Sequence, residues 1–434
     1  MKFGRSIGLL AALVSALCIG GLLSVAVTTK SYSESYPSVV CPPTISGLSS
    51  QISLASRKTP FQKLQNRTIK TVPVKVLRLP VNRDSLVFNS EGVSPVVWQS
   101  KASSWAGGAL CTGPATSQWF VGGTADITTR GRLIIINSGL SDAVIDIQSF
   151  TEIGKQPLRT ITVVSKNYVL IPIDSLAPGD KSLTVHVAPR SGRVNAFMID
   201  EQSKGLSTLG GDLINFAPGA SKSVMIPAVP HKLVKNTKAL PHTLRILNPG
   251  DVDANVTAEV LSTDGVFVPV GLTSRSVSAG IVTDFQFTPN ITSAIMGVRI
   301  TSTEPVVAAI KSTVAVAGRK DFVWSTSAPA LVPLTIAISG LNPLISFTGE
   351  SINVSLDVTL NNGKVVRKNV KGTDIVTWRA PESARSFSIT KVGPETFAGA
   401  LVSSINGYGY FPIAPGSVLT KIQLPDSNIR VLNP

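Results

Sequence analysis

The sequence predicts an all-β protein: tandem immunoglobulin-like β-sandwich modules behind an N-terminal transmembrane helix. Three observations carry this prediction. A long apolar run opens the chain, short apolar segments with period-two alternation recur after residue 30, and one stretch is echoed 111 residues later. Alternation of period two puts apolar side chains on one face of a strand, as a half-buried sheet requires.

The opening segment, residues 1–30, reads as a signal anchor or signal peptide. Lys2 and Arg5 carry the only charges before Lys30, and the run Ile7 to Val27 is apolar enough and long enough to cross a bilayer. It exceeds the roughly 7 to 15 residue core of a signal peptide. The positive-inside rule keeps the short end cytoplasmic and makes residues 31–434 extracellular in a single-pass membrane protein. Cleavage near Ser24 and Ala26 would release them as a secreted form instead. Cys18 lies in the run behind the bulky Leu17, where lipidation signals need a small residue.

Residues 31–100 read as a basic extracellular tether that lends strands to the first module. They hold eight Lys or Arg against three acids, and no acid falls between Arg57 and Arg83. Arg57, Lys58, Lys63, Arg67, Lys70, Lys75, Arg78 and Arg83 are the candidate contacts to anionic lipid or an anionic cell-wall polymer. The alternative is a solvated basic linker. Residues 101–205 and 206–330 each hold ten bases against eight acids, so the net charge of +15 does not mark a nucleic-acid partner. Setting Cys18 aside leaves Cys41 and Cys111, an even pair that an oxidising compartment favours as a disulfide. Closing that loop would contribute about 4 kcal/mol on the chain-entropy account.

Strand segments follow in order: "RLIIIN", "AVIDIQSF", "SLTVHVA", "VTDFQF", "MGVRITS", "INVSLDVTL" and "FSITKV". In "INVSLDVTL", Ile352, Val354, Leu356, Val358 and Leu360 share one face, and Asn353, Ser355, Asp357 and Thr359 the other. Such a strand has one buried and one wet side. The echo aligns "LIIINSGLSDAVIDIQSFTEIG" from Leu133 with "LRILNPGDVDANVTAEVLSTDG" from Leu244, pairing Asn137 with Asn248, Gly139 with Gly250, Asp142 with Asp253, Ala143 with Ala254 and Gly154 with Gly265. "LTVHV" then corresponds to "MGVRI", and "VNAFMI" to "VVAAIK". A fainter third copy starts at "INVSLDVTLNNGK". The expected modules are therefore 101–205, 206–330 and 331–434.

Signals for catalysis are absent. "NPGDVDAN" places Asp251, Asp253 and Asn255 at alternate positions, as a calcium loop begins, but Val256 and Ser262 stand where that loop needs glycine and glutamate. The stretch reads as a turn. His186 alternates with apolar neighbours and is expected to face solvent. His231 and His242 would need a third ligand to hold a metal. No nucleophile elbow, H-E-x-x-H, P-loop or dinucleotide fingerprint occurs. No catalytic residue, metal site or cofactor is therefore assigned. Trp98, Trp105 and Trp119 cluster around Cys111 and are candidate glycan-stacking residues, with core packing beside a disulfide as the competing reading. Sequons stand at Asn66, Asn255, Asn290 and Asn353.

"C-x-x-x-x-x-x-x-W-F-V-G-G" from Cys111 to Gly123, and "L-x-x-x-N-x-G-x-x-D-A" at 133–143 and again at 244–254, resemble an uncharacterised family of actinobacterial membrane-anchored envelope proteins, known as a domain of unknown function. The resemblance covers most of residues 90–430. It implies an exported bacterial location and brings no activity. The expected function is a non-enzymatic envelope scaffold or partner-binding surface, with an envelope protein as partner. The alternative is binding of a cell-wall glycan or anionic polymer.

Overall fold

The computed structural model describes residues 38–417 except 56–58, 67, 73–76, 89–91, 103, 232–240 and 317, together with Val14 and Ser15. The predicted anchor over 1–30 lies outside the described residues, apart from Val14 and Ser15, which are helical. Among the described residues, no helix is long and apolar enough to cross a membrane. The chain between Pro37 and Val418 is one compact unit. It is all-β, with several sheets.

Strands β1 (Val39–Cys41), β2 (Ser49–Ser53), β3 (Pro60–Lys63), β4 (Lys70–Thr71), β5 (Arg78–Val81), β6 (Leu86–Phe88) and β7 (Val93–Lys101) lie in or run just past the stretch expected as a tether. Its apolar residues explain the folding. Val40, Ile52, Phe88, Val96 and Val97 are buried, and removing such surface from water stabilises by about 25 cal/mol per Å². β1, β6, β3 and β4 form their own sheet, while β2, β5 and β7 join a larger one. β8 (Trp105–Leu110) pairs with β7. Cys41 ends β1 and Cys111 follows β8, and their disulfide joins Cα atoms 4.6 Å apart.

The next strands are β9 (Gln118–Val121), β10 (Arg132–Asn137), β11 (Ala143–Thr151), β12 (Gly154–Lys155), β13 (Arg159–Val163), β14 (Asn167–Pro172), β15 (Leu183–Ser191), β16 (Asn195–Lys204) and β17 (Ser207–Ile214). One sheet runs β14-β10-β16-β17 and a second β12-β11-β15-β9, with β13 also on β11. Leu133 and Met198 of the first sheet share a core with Ile145, Ile147 and Val187 of the second.

A parallel arrangement follows in β18 (Ser221–Pro230), β19 (His242–Leu247), β20 (Ala254–Ser262), β21 (Gly265–Phe267), β22 (Arg275–Val277), β23 (Val282–Phe287), β24 (Ile295–Val316) and β25 (Arg319–Thr326). β19 lies between β23 and the second half of β24, as β10 lies between β14 and β16. β20 pairs with β21, β22 and the first half of β24, as β11 pairs with β12, β13 and β15. The single strand β24 thus does the work of β15 and β16 together. Leu244, Ile310, Ala258, Val298 and Ile300 fill the core between its layers.

The turns repeat as well. Asn137 donates to the Ser141 carbonyl at 2.9 Å and accepts from the Gly139 amide, and Asn248 does the same with Val252 and Gly250. Asp142 accepts from the Ser165 amide at 2.8 Å, and Asp253 from the Ala279 amide at 2.9 Å. Glu152 accepts from the amides of Lys181 and Ser182, while Asp264 accepts from the amide and hydroxyl of Thr292. "NPGDVDAN" is therefore an asparagine-anchored turn, whose side chains bond to local backbone.

The last strands are β26 (Leu334–Ala337), β27 (Leu344–Leu360), β28 (Val365–Arg379), β29 (Ala384–Val392), β30 (Phe397–Ser403) and β31 (Tyr408–Pro412). They do not close on themselves. β26 pairs in parallel with β7, Thr335 opposite Val93, so early and late parts of the chain share a ten-stranded sheet. Trp98 and Val96 accordingly share a core with Ile345, Phe347 and Phe387. The expected boundary at 205/206 falls inside the hairpin of β16 and β17, where Lys204 pairs with Ser207.

Candidate functional site

The most concentrated chemistry lies where β16 and β17 meet β19, β24 and β25. Asp200 on β16, Asp212 on β17 and Asp321 on β25 are buried, as are Arg245 on β19 and Trp324 on β25. β17 ends its sheet and β25 pairs with β24 alone, so each presents one edge of backbone amides without a ladder partner.

β17 and β25 are joined by carboxylates rather than by a backbone ladder. The Trp324 amide donates to Asp212 Oδ2 at 2.7 Å, and the Gly211 amide donates to Asp321 Oδ1 at 3.0 Å. Each acid therefore satisfies the backbone of the opposite strand. The Leu213 and Phe322 amides donate to the same two acids. Trp324 Nε1 donates to Asp200 Oδ2 at 2.9 Å. Gly211 has no side chain because the Trp105 ring lies on it, with an added Cβ falling 2.7 Å from a ring carbon.

Burial pushes the Asp212 carboxyl well above the usual carboxylate range, and Asp321 up to about 7, against the amides that favour their charged forms. Arg245 grips Asp284 with two hydrogen bonds of 2.8 Å and donates to the carbonyls of Gly123 and Leu183. Burial alone would raise Asp284, but the Arg245 bonds and charge, with Ser182, hold it below its ordinary value. The Lys311 ammonium sits 3.9 Å over the Phe322 ring and 3.3 Å from Gln202 Oε1, and burial lowers its pKa.

Perturbed acids of this kind often mark active sites. Here Asp212 and Asp321 accept from backbone amides, and Asp200 accepts from the Trp324 indole and the Gln202 side-chain amide, so these bonds tie β16 and β17 to β25. Among the described residues, no group of three or more His, Cys, Asp or Glu is placed to hold a metal ion.

The span from residue 99 to residue 369 matches the family described as a family of unknown function, DUF5719. That is well over half of the chain. The chain belongs to this family. Asp200, Asp212, Arg245, Asp284, Lys311, Asp321 and Trp324 all fall inside the matched DUF5719 span. Among curated proteins, none matches the chain.

The residues singled out in the sequence have varied positions in this DUF5719 protein. Trp98, Trp105 and Trp119 are 6%, 0% and 8% exposed. None offers a ring face to a sugar, because the strands carrying them are covered on both sides. Trp119 instead stacks on His186 at 4.0 Å. His186 consequently lies against a ring rather than in open solvent, bonded to Ser117 Oγ at 2.8 Å, and burial lowers its pKa to about 4.

His231 and His242 do meet. Their ring nitrogens are 3.0 Å apart, and His242 Nδ1 is 2.9 Å from Ser312 Oγ. Burial first, then the His231 charge, lowers the His242 pKa to about 3. The rings bond to one another, which is a structural arrangement.

Of the eight basic candidates, Arg57, Lys58, Arg67 and Lys75 lie outside the described residues. Lys63 pairs with Asp84. Arg78 packs along Gly340 and bonds to its carbonyl, whereas Lys70 and Arg83 are exposed. The Arg83 carbonyl accepts from the Tyr168 hydroxyl, tying this segment to β14.

The seam itself was missed in the sequence. The available signal was an acid inside an apolar strand, as in "FMIDEQ", "GGDLINF" and "RKDFVW".

Proposed function

We propose that this DUF5719 protein is a non-enzymatic, membrane-anchored extracellular scaffold of an actinobacterial cell envelope. In this reading its repeated halves are tandem immunoglobulin-like modules that present loops and strand edges to a partner protein. The buried seam is the observation that carries it. The buried acids Asp212 and Asp321 bind backbone amides across β17 and β25, which suits rigid display. The Cys41–Cys111 disulfide supports an oxidising, exported location. The apolar run Ile7 to Val27 supports anchoring with the N-terminus cytoplasmic.

Crosslinking in intact cells followed by capture of the full chain tests the reading. A defined envelope protein recovered at constant ratio supports it. Protease that fails to reach residues 31–434 from outside the cell rules out the topology.

A second reading, an anionic wall polymer as partner, draws on the exposed Lys70 and Arg83, on Lys364 just before β28, and on Lys368 and Lys371 along the exposed part of β28. It no longer uses the Trp rings. Binding to such a polymer would weaken steeply with salt. Salt-insensitive retention would argue against it.

A further inference from the structure

We propose that this protein binds an aliphatic chain in a cavity of about 250 Å³ formed by β8, β9, β16, the end of β17 and the segments after β25 and β31. Leu110, Phe120, Ala196, Phe197 and Ile214 form its floor and are buried. Pro218, Pro329, Val332 and Pro415 stand at the mouth, where the chain is partly or fully exposed. An apolar cavity of about 150 Å³ already stays dry and takes up benzene, so a larger one of this lining has room for more.

Three features choose the occupant. No charged side chain lines the cavity, so an uncharged, apolar moiety is complementary to it and any head group stays in water. Two polar groups of the lining, Asn215 Nδ2 and the Thr112 carbonyl, are already engaged. Asn215 Nδ2 donates to the Gly108 and Tyr410 carbonyls at 3.0 and 2.9 Å, and the Thr112 carbonyl accepts from the Val40 amide and from Asn195. A ligand with polar atoms along its length would find them unmatched. The prolines of the mouth have no N–H to offer, so an incoming peptide strand could not extend a ladder across it. A hydrocarbon chain meets all three conditions, and a peptide fails the last two.

Calorimetric titration of the full chain at physiological salt, with decanoate and separately with decyltrimethylammonium, tests this. Both should bind at one site, within about threefold of each other, because the cavity makes no ion pair with the head group. Val332→Trp, at an exposed mouth position, should weaken both at least tenfold while leaving the melting temperature within a few degrees. Ala196→Leu, which fills the floor, should do the same if it folds. No binding of either amphiphile overturns the proposal, as does binding undiminished in Val332→Trp. Uptake of benzene with exclusion of both chains would also overturn it, since the cavity would then be too short.

Discussion

Arg245→Met removes the centre of the seam while retaining most of the side-chain volume. The Arg245 side chain is 6% exposed and that of Asp284 25% exposed, and the pair is joined at 2.8 Å. The substitution leaves Asp284 with Ser182 Oγ at 2.7 Å and takes a guanidinium away from the carbonyls of Gly123 and Leu183. Removing one partner of a buried pair costs about 3–5 kcal/mol, chiefly because the other charge remains in the interior. The partial exposure of Asp284 places this pair at the low end, about 3 kcal/mol. Orphaned carbonyls add up to about 1 kcal/mol. Urea unfolding followed by tryptophan fluorescence measures the loss, since Trp324 lies 5.0 Å from the guanidinium. Arg245→Met/Asp284→Leu should recover part of it, with a coupling energy above about 1 kcal/mol. A single-mutant loss below about 1 kcal/mol, or strictly additive costs, refutes the claim that this buried pair, with its bonds to Gly123, Leu183 and Ser182, stabilises the fold.

Asp321 gives the seam a pH dependence. Its carboxyl titrates at about 7 when folded, above the value near 4 of an unfolded chain, so between these pH values the folded state holds a proton that the unfolded state has released. Stability should therefore fall as pH rises from about 4 to 7, by an amount on the order of 4 kcal/mol from this group, and Asp321→Asn should flatten that slope in thermal melts across the window. Asn137→Ala and Asn248→Ala should each cost about 1–2 kcal/mol, and the double variant their sum, because the two turns are equivalent and separate. Unequal costs, one near zero, would break the structural equivalence. Gly407→Ala should destabilise by more than about 2 kcal/mol, since its Cβ would fall 2.1 Å from the Ala106 amide nitrogen and 2.7 Å from the Trp105 carbonyl carbon. A wild-type melting curve for that variant would mean that the β30–β31 turn can move away from β8.

Legibility in the sequence followed the range of the interaction. "INVSLDVTL" declares a strand by alternation, and in β27 Ile352, Val354, Leu356 and Val358 are buried while Asn353 is exposed. The cysteine pair was readable because, with Cys18 set aside in the apolar run, the two remaining thiols have one pairing. The Trp cluster was ambiguous because exposure depends on what covers a strand, and Trp98 is covered by residues more than 200 positions away, such as Phe347 and Phe387. His231 and His242 were weighed in the sequence only as metal ligands lacking a third, because their mutual hydrogen bond depends on how β18 and β19 are brought together by β24.

Local chemistry alone determined that this protein is built from strands, where many of them run, that Cys41 and Cys111 join, and that Asn137 and Asn248 mark matching turns. Those features rest on contacts within a strand, a turn or a single covalent pair. Tertiary structure decided which edges meet: β26 beside β7, and β17 against β25 through Asp212 and Asp321. A strand edge carries the same unpaired amides whatever its neighbour. Only packing of the two halves determines whether an acid in an apolar strand is left in water or buried against those amides.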